Sequence, residues 1–161
     1  KFDRIVSVGA FEHFGKKFYK TFFKKVKNIM TDDGICLLHT IGSVDEPGPV
    51  QPFIQKYIFP GGIIPSLSDM IGPIEKTGLI LSDCETLIYH YDKTLKAWLD
   101  RFMLNKEKAK YMYNKEFVKM WEFYLSSCSA AFKFRDLVVY QLQLVKNFAA
   151  PPSNRRNYIY Q

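Results

Sequence analysis

An α/β fold, with a mostly parallel sheet and helices on both faces, is predicted by two features of this 161-residue sequence. Apolar runs of strand length alternate with segments whose apolar residues recur every three or four positions. The first of these segments are joined by short connections, which is how a strand–helix–strand unit sets two parallel strands side by side. A third feature bears on function: aromatic residues make up 16% of the chain, among them 14 Phe and 10 Tyr. Such a surplus is expected to line a wide apolar pocket or a lipid-facing surface.

Phe2 to Val8 opens the chain as a strand. Its run Ile5-Val6-Ser7-Val8 closes on Gly9-Ala10, the pattern of a parallel strand covered on both faces. Because strand residues stand at the very start, a preceding segment is expected to complete the sheet. Residues 16–30 are predicted as a helix, with Tyr19, Phe22, Phe23, Val26 and Met30 on one face and lysines on the other. Thr31-Asp32-Asp33-Gly34 reads as a turn, and residues 35–41 as a second buried strand. Five prolines and four glycines then interrupt residues 42–65. A connection of that length is expected to act as a lid or pocket wall. Residues 66–76 are predicted as a short helix that Pro73 kinks or ends, and residues 79–88 as a third strand. Helices follow over residues 93–103 and Lys115–Phe134. Leu137–Val145 is predicted as the last strand, antiparallel and at or near a sheet edge. No repeat or second domain is visible: residues 1–146 read as one domain and residues 147–161 as a loose tail.

Lys and Arg outnumber Asp and Glu by 23 to 16, which favours anionic partners such as acidic lipid headgroups. The lysines are spread through helical segments rather than gathered in a polybasic tail. Cys36, Cys84 and Cys128 stand far apart, with no CxxC or Cys/His spacing. Neither a disulfide framework nor a metal site is therefore expected, and a reducing cytoplasmic compartment fits. No apolar run approaches the roughly 20 residues of a membrane helix. Contact with a membrane is expected from the water side.

Ligands of an open parallel sheet bind beyond the C-terminal ends of its strands. Gly9-Ala10-Phe11-Glu12-His13 follows the first strand, and Leu38-His39-Thr40-Ile41-Gly42 closes the second. Neighbouring parallel strands would bring Glu12 and His39 towards one crevice. His90-Tyr91-Asp92, just before a helix, is a third candidate. Acid, imidazole and phenol converging on an apolar cavity would suit anion binding or proton transfer.

The string Phe2-Asp3-Arg4-Ile5-Val6-Ser7-Val8-Gly9-Ala10-Phe11-Glu12-His13-Phe14-Gly15 resembles the signature of the cyclopropane fatty acid synthase family. The resemblance continues in Leu37-Leu38-His39-Thr40-Ile41-Gly42, Lys56-Tyr57-Ile58-Phe59-Pro60-Gly61-Gly62, His90-Tyr91-Asp92-Lys93-Thr94-Leu95-Lys96-Ala97-Trp98 and Tyr124-Leu125-Ser126-Ser127-Cys128. It implies the C-terminal half of a seven-stranded, Rossmann-like methyltransferase sheet, from the fourth strand onward. It also implies an S-adenosylmethionine-dependent enzyme that adds a methylene to the cis double bond of a phospholipid acyl chain, with bound bicarbonate as base. By resemblance, Glu12, His39 and Tyr91 hold the bicarbonate through side chains and Ile41 through its backbone. Cys128 matches a cysteine of the family's catalytic set. Of the cofactor contacts, Val8 and Gly9 remain in this chain; a glycine-rich loop and an acidic ribose-binding residue lie upstream in the family. The expected partner is a membrane surface at the inner face rather than nucleic acid, and self-association through an open sheet edge is a further expectation. A related enzyme that methylates acyl chains without closing the ring, or a non-catalytic lipid-binding remnant, would carry much of the same pattern.

Overall fold

The computed structural model describes residues 1–150 and 156–159. β1 (Phe2–Val8) pairs in parallel with β2 (Met30–Ser43), and Tyr19–Ile29 between them forms α1. β2 pairs antiparallel with β4 (Leu137–Val145), which in turn pairs antiparallel with β3 (Ile80–Leu87). The order β1-β2-β4-β3 is a mixed four-stranded sheet. β1, β2 and β3 share one direction and β4 opposes them, so a single pairing is parallel; the mostly parallel ladder expected from sequence is not what these four strands form. β4 is antiparallel as predicted, and it lies one strand in from the β3 edge, near an edge but not at it. Its residues explain this: Val138, Tyr140, Leu142 and Leu144 bury on one face and Val139 on the other, which an edge strand with one solvated face would not need.

Helices cover both faces. On one, α1 and α3 (Leu67–Thr77) close over a core that includes Phe11, Phe23, Cys36, Leu38 and Met70. On the other, α4 (His90–Leu104) and α6 (Lys115–Phe134) pack Leu95, Tyr124, Leu125 and Phe132 against Val139. Two shorter helices, α2 (Pro52–Tyr57) and α5 (Lys106–Met112), lie within connections, and α5 carries no apolar stripe to announce it. Strand β2 feeds both cores because successive side chains alternate: Cys36, Leu38 and Thr40 are buried in the first, while Ile41 reaches the second.

Three local expectations differ from the structure. β1 is not covered on both faces, because Val6 and Val8 are 65% and 63% exposed and only Ile5 packs against the first core. Thr31 to Gly34 do not end the helix in a free turn. They bulge within β2, whose pairing moves from Phe2↔Met30 to Arg4↔Ile35. Pro73 sits inside α3 without ending it; a Ser66–Asp69 capping box starts the helix, and buried Met70 and Ile74 hold it until Gly78. Of the predicted tail, residues 151–155, 160 and 161 lie outside the described residues. Asn147 donates to the Asp32 carbonyl, and Arg156 pairs with Asp83 on β3 at 2.8 Å. Among the described residues no helix is long and apolar enough to cross a membrane.

Candidate functional site

The site is assembled where β1 and β2 end. Gly9 follows β1 with φ at 63°, a left-handed conformation that costs a residue with a Cβ about 1–2 kcal/mol. Its N–H donates to the His39 carbonyl at 3.1 Å, which ties the turn to β2. The single 3-10 turn Phe11–His13 then drives Phe11 into the closed core and carries Glu12 over the end of β2. There Glu12 Oε1 accepts the Ile41 N–H at 2.8 Å, and the Glu12 carbonyl accepts the Ile63 N–H at 2.8 Å. One carboxylate oxygen is thus committed to the fold. The other, Oε2, is buried and takes no hydrogen bond from the described residues. The buried Tyr19 hydroxyl also lacks a partner. Its pKa is raised by burial, with smaller contributions from the charges of Asp69 and Glu12.

The opposite wall comes from α4 and α6. His90, Tyr91 and Asp92 form the first turn of α4 rather than preceding it: the helix starts three residues before the predicted Lys93, directly after Tyr89 with its left-handed φ of 64°. Asp92 is buried, accepting from the Ser129 hydroxyl at 2.5 Å and from Lys96 Nζ at 2.9 Å. Those two hydrogen bonds, Ser129 first, hold its carboxyl below the usual range. Asp92 neighbours Tyr91, and Ser129 neighbours Cys128, so this clamp sets the register in which Tyr91 and Cys128 meet the same space. Tyr91 stacks near Phe132 of α6, ring centres 5.0 Å apart. Its phenol is pushed up by burial and then by the Glu12 charge, so it remains a neutral hydroxyl at physiological pH. Burial raises Tyr124 to about 12 and the Cys128 thiol to about 11. A thiol held that high is protonated near neutrality and is no nucleophile.

Between these walls lies a cavity of about 840 Å³. Gly9, Glu12, Ile41, Tyr91 and Cys128 all line it, so the structure brings together most of the residues singled out from sequence. His39 and Val8 do not line it. His39 sits beside Val8 in the β1–β2 register, and its Nδ1 lies 3.1 Å from Gln141 Nε2 of β4. The Ile41 N–H is engaged by Glu12 and its carbonyl by the Thr40 hydroxyl. The long connection over residues 42–65 forms a pocket wall, as its length predicted, through Val50, Ile54, Phe59, Ile63 and other residues. Gly42 at its start permits a close approach: a Cβ there would come within 2.5 Å of the Tyr140 ring. Sequence reasoning did not single out Asp92 with Ser129, nor Tyr124 and Phe59 as lining residues. For Tyr124 a signal existed, since its position four residues before Cys128 puts both on one helical face.

The residues present fit both groups that the resemblance implies. The buried Glu12 Oε2 is an acceptor suited to the O–H of a bound bicarbonate. Gly9 lines the cavity with open space where a Cβ would stand, which lets a cofactor approach the backbone.

Comparison with known proteins identifies the family and the fold. The family model for mycolic acid cyclopropane synthetase matches residues 1–142. The chain is 41% identical over 142 residues to the cyclopropane-fatty-acyl-phospholipid synthase of Escherichia coli, which covers 88% of this chain and 37% of that protein. The solved structure of the cyclopropane synthase MmaA2 from Mycobacterium tuberculosis superposes with a TM-score of 0.80 at 34% identity. That match covers 88% of this chain and 54% of the other. The mycolic acid cyclopropane synthase CmaA1, solved with SAH and CTAB, superposes equally well at 33% identity, again over 88% of this chain and 54% of the other. The chain thus spans between about a third and about half of the length of these relatives. It is part of a methyltransferase fold of the kind that uses S-adenosylmethionine, and it belongs to the mycolic acid cyclopropane synthetase family.

Proposed function

We propose that the complete protein carrying this chain is a cyclopropane-fatty-acyl-phospholipid synthase, acting at the inner membrane face on acyl chains with a cis double bond. The observation that carries this reading is an apolar cavity of about 840 Å³ in which one carboxylate, Glu12, has a committed oxygen and an open one. When bound, S-adenosylmethionine supplies an electrophilic methyl carbon and bicarbonate a base for one of its protons, which together convert the double bond into a three-membered ring. Glu12 orients that base through Oε2, with Tyr91 as a neutral hydroxyl donor; His39, turned to Gln141 and outside the cavity lining, takes no part in this reading. Gly9 is the chain's contribution to the cofactor within the cavity. The rings of Tyr91, Tyr124, Phe132 and Phe59 present electron-rich faces that stabilise positive charge developing on the acyl chain. The apolar walls exclude water, which would otherwise capture that charge. Cys128 is a wall residue, consistent with its high pKa. The 161-residue chain alone is inactive in this reading, because most of the cofactor's contacts lie outside it.

The test is incubation of the complete protein with S-adenosylmethionine labelled in its methyl group and vesicles of a cis-unsaturated phospholipid. Label in the acyl chain, with the upfield proton resonances of a cyclopropane ring, is the expected outcome. Label without ring resonances would replace this reading by simple methylation, and no label in lipid would overturn it.

A further inference from the structure

The end of α4, all of α5 and the start of α6 form a tip unlike the rest of the surface. Leu104 and Tyr111 are 86% and 91% exposed, and Met112 and Tyr113 are more than half exposed. Isolated exposed apolar residues are ordinary, but a cluster confined to ten residues marks a contact surface. The same stretch is basic. Arg101, Lys106, Lys108, Lys110, Lys115 and Lys119 outnumber the acids Asp100, Glu107, Glu116 and Glu122 around them. Lys110 pairs with Glu107 and Lys106 with Glu122, both at 3.5 Å, whereas Arg101, Lys108, Lys115 and Lys119 have no ion pair among the described residues. Exposed Tyr and Leu ringed by unpaired Lys and Arg is the composition that settles at the headgroup level of an anionic bilayer.

The tip also connects to the cavity. Leading into α6 and along it, Tyr113 stacks on Phe117 at 4.3 Å, Phe117 on Trp121 at 5.7 Å, and Trp121 meets Tyr124 at 5.1 Å. The spacing of four and three residues keeps Phe117, Trp121 and Tyr124 on one face of α6, and Tyr113 joins them from the turn before the helix. A groove of about 440 Å³ beside Phe117 runs past Phe53, whose ring lies 4.8 Å from that of Phe123, and Phe123 and Tyr124 line the main cavity. An aromatic path thus joins the basic apolar tip to the space that Glu12 faces.

We infer that this tip is the surface that docks on an anionic lipid bilayer, and that the aromatic path leads an acyl chain from it into the cavity. The inference rests on the function proposed above and names where the lipid enters. Its experiment uses the complete protein, vesicles with and without an anionic phospholipid, and two paired variants, Leu104→Asn with Tyr111→Asn and Lys108→Glu with Lys110→Glu. All four side chains lie outside the cavity. The lysine pair is expected to weaken binding to anionic vesicles more than tenfold, since each surface Lys contributes roughly fivefold, and the apolar pair to weaken it through lost insertion. KM for vesicle substrate should rise, while turnover of the same lipid dispersed in detergent and the thermal midpoint stay unchanged. Wild-type affinity for vesicles in both variants would overturn the inference. So would a lowered thermal midpoint with vesicle binding retained, the result for a tip buried against another part of the protein. Absence of turnover in the wild type on any acyl lipid would instead sink the proposed function, and vesicle binding would still be read separately.

Discussion

The two faces of the sheet are built for opposite purposes. Under α1 and α3, Phe11, Tyr19, Phe23, Met30, Leu38 and Met70 are almost completely buried, and the rings of Phe11 and Tyr19 stack 4.1 Å apart. Under α4 and α6 the fully buried set is smaller, and the space between helices and sheet is left as a cavity. Glu12 sits between the two, because Phe11 beside it is anchored in the closed face. A dense core resists displacement, so the closed face can hold one acid rigidly while the open face receives a large apolar guest. Each face is also pinned by one carboxylate, Asp69 at the start of α3 and Asp92 at the start of α4.

The contrast should break most visibly in the isolated 161-residue chain. β1 has an unpaired edge among the described residues, and Val6 and Val8 stand open at the end of the sheet. Such an edge is a template for pairing with another chain. Sedimentation of this polypeptide is expected to show association, together with weak or no S-adenosylmethionine binding by calorimetry. A monodisperse monomer with micromolar cofactor affinity would contradict both.

Within the fold, the closed face should be the less forgiving. Phe23→Ala removes a fully buried ring and is expected to cost about 3–5 kcal/mol in urea unfolding of the complete protein. A cost under 1 kcal/mol would mean that this core is not the tightly packed one. Glu12→Gln sharpens the link between the faces, because glutamine can still accept the Ile41 N–H while losing its charge. Turnover should fall roughly a hundredfold, with S-adenosylmethionine affinity nearly unchanged. Equal losses in both would move Glu12 from the base to the cofactor.

Acid should loosen both faces through their carboxylates. Burial alone would raise Asp69, but its hydrogen bonds to Lys16 and Ser66 outweigh that and hold it below the usual value. Asp92 is lowered by Ser129 and then Lys96. A carboxylate lowered in the folded state contributes stability that is fully present above the unfolded pKa of about 4. That stability is lost as pH falls through the lowered folded value. Urea midpoints should therefore drop below pH 4. Ser129→Ala should flatten the part owed to the open face, and Lys16→Met the part owed to the closed one. An unchanged profile in both variants would remove these clamps from the account. The smallest effect is expected at the cavity wall: Cys128→Ser should keep turnover within about threefold, and complete loss with an intact fold would restore the thiol to the chemistry.

Much of this was legible before any coordinates. The period of α1, the apolar run of β2 and the length of α6 depend on local patterning, and so did the placing of Glu12 beyond a strand end. Gly9 as a ligand contact was legible only through the family resemblance; its left-handed φ, and the backbone it opens to the cavity, came from the structure. What only the tertiary structure decided is where distant segments meet. The central position of β4 depends on β2 and β3 both finding it. The Asp92–Ser129 clamp spans 37 residues of sequence. The diversion of His39 to Gln141 joins positions 102 residues apart. No local period encodes such pairings, since they are chosen by which faces can be buried together once the whole sheet has formed. The sequence by itself determined the elements and the chemical types at their ends; the packing of the two faces determined which of those groups share a cavity.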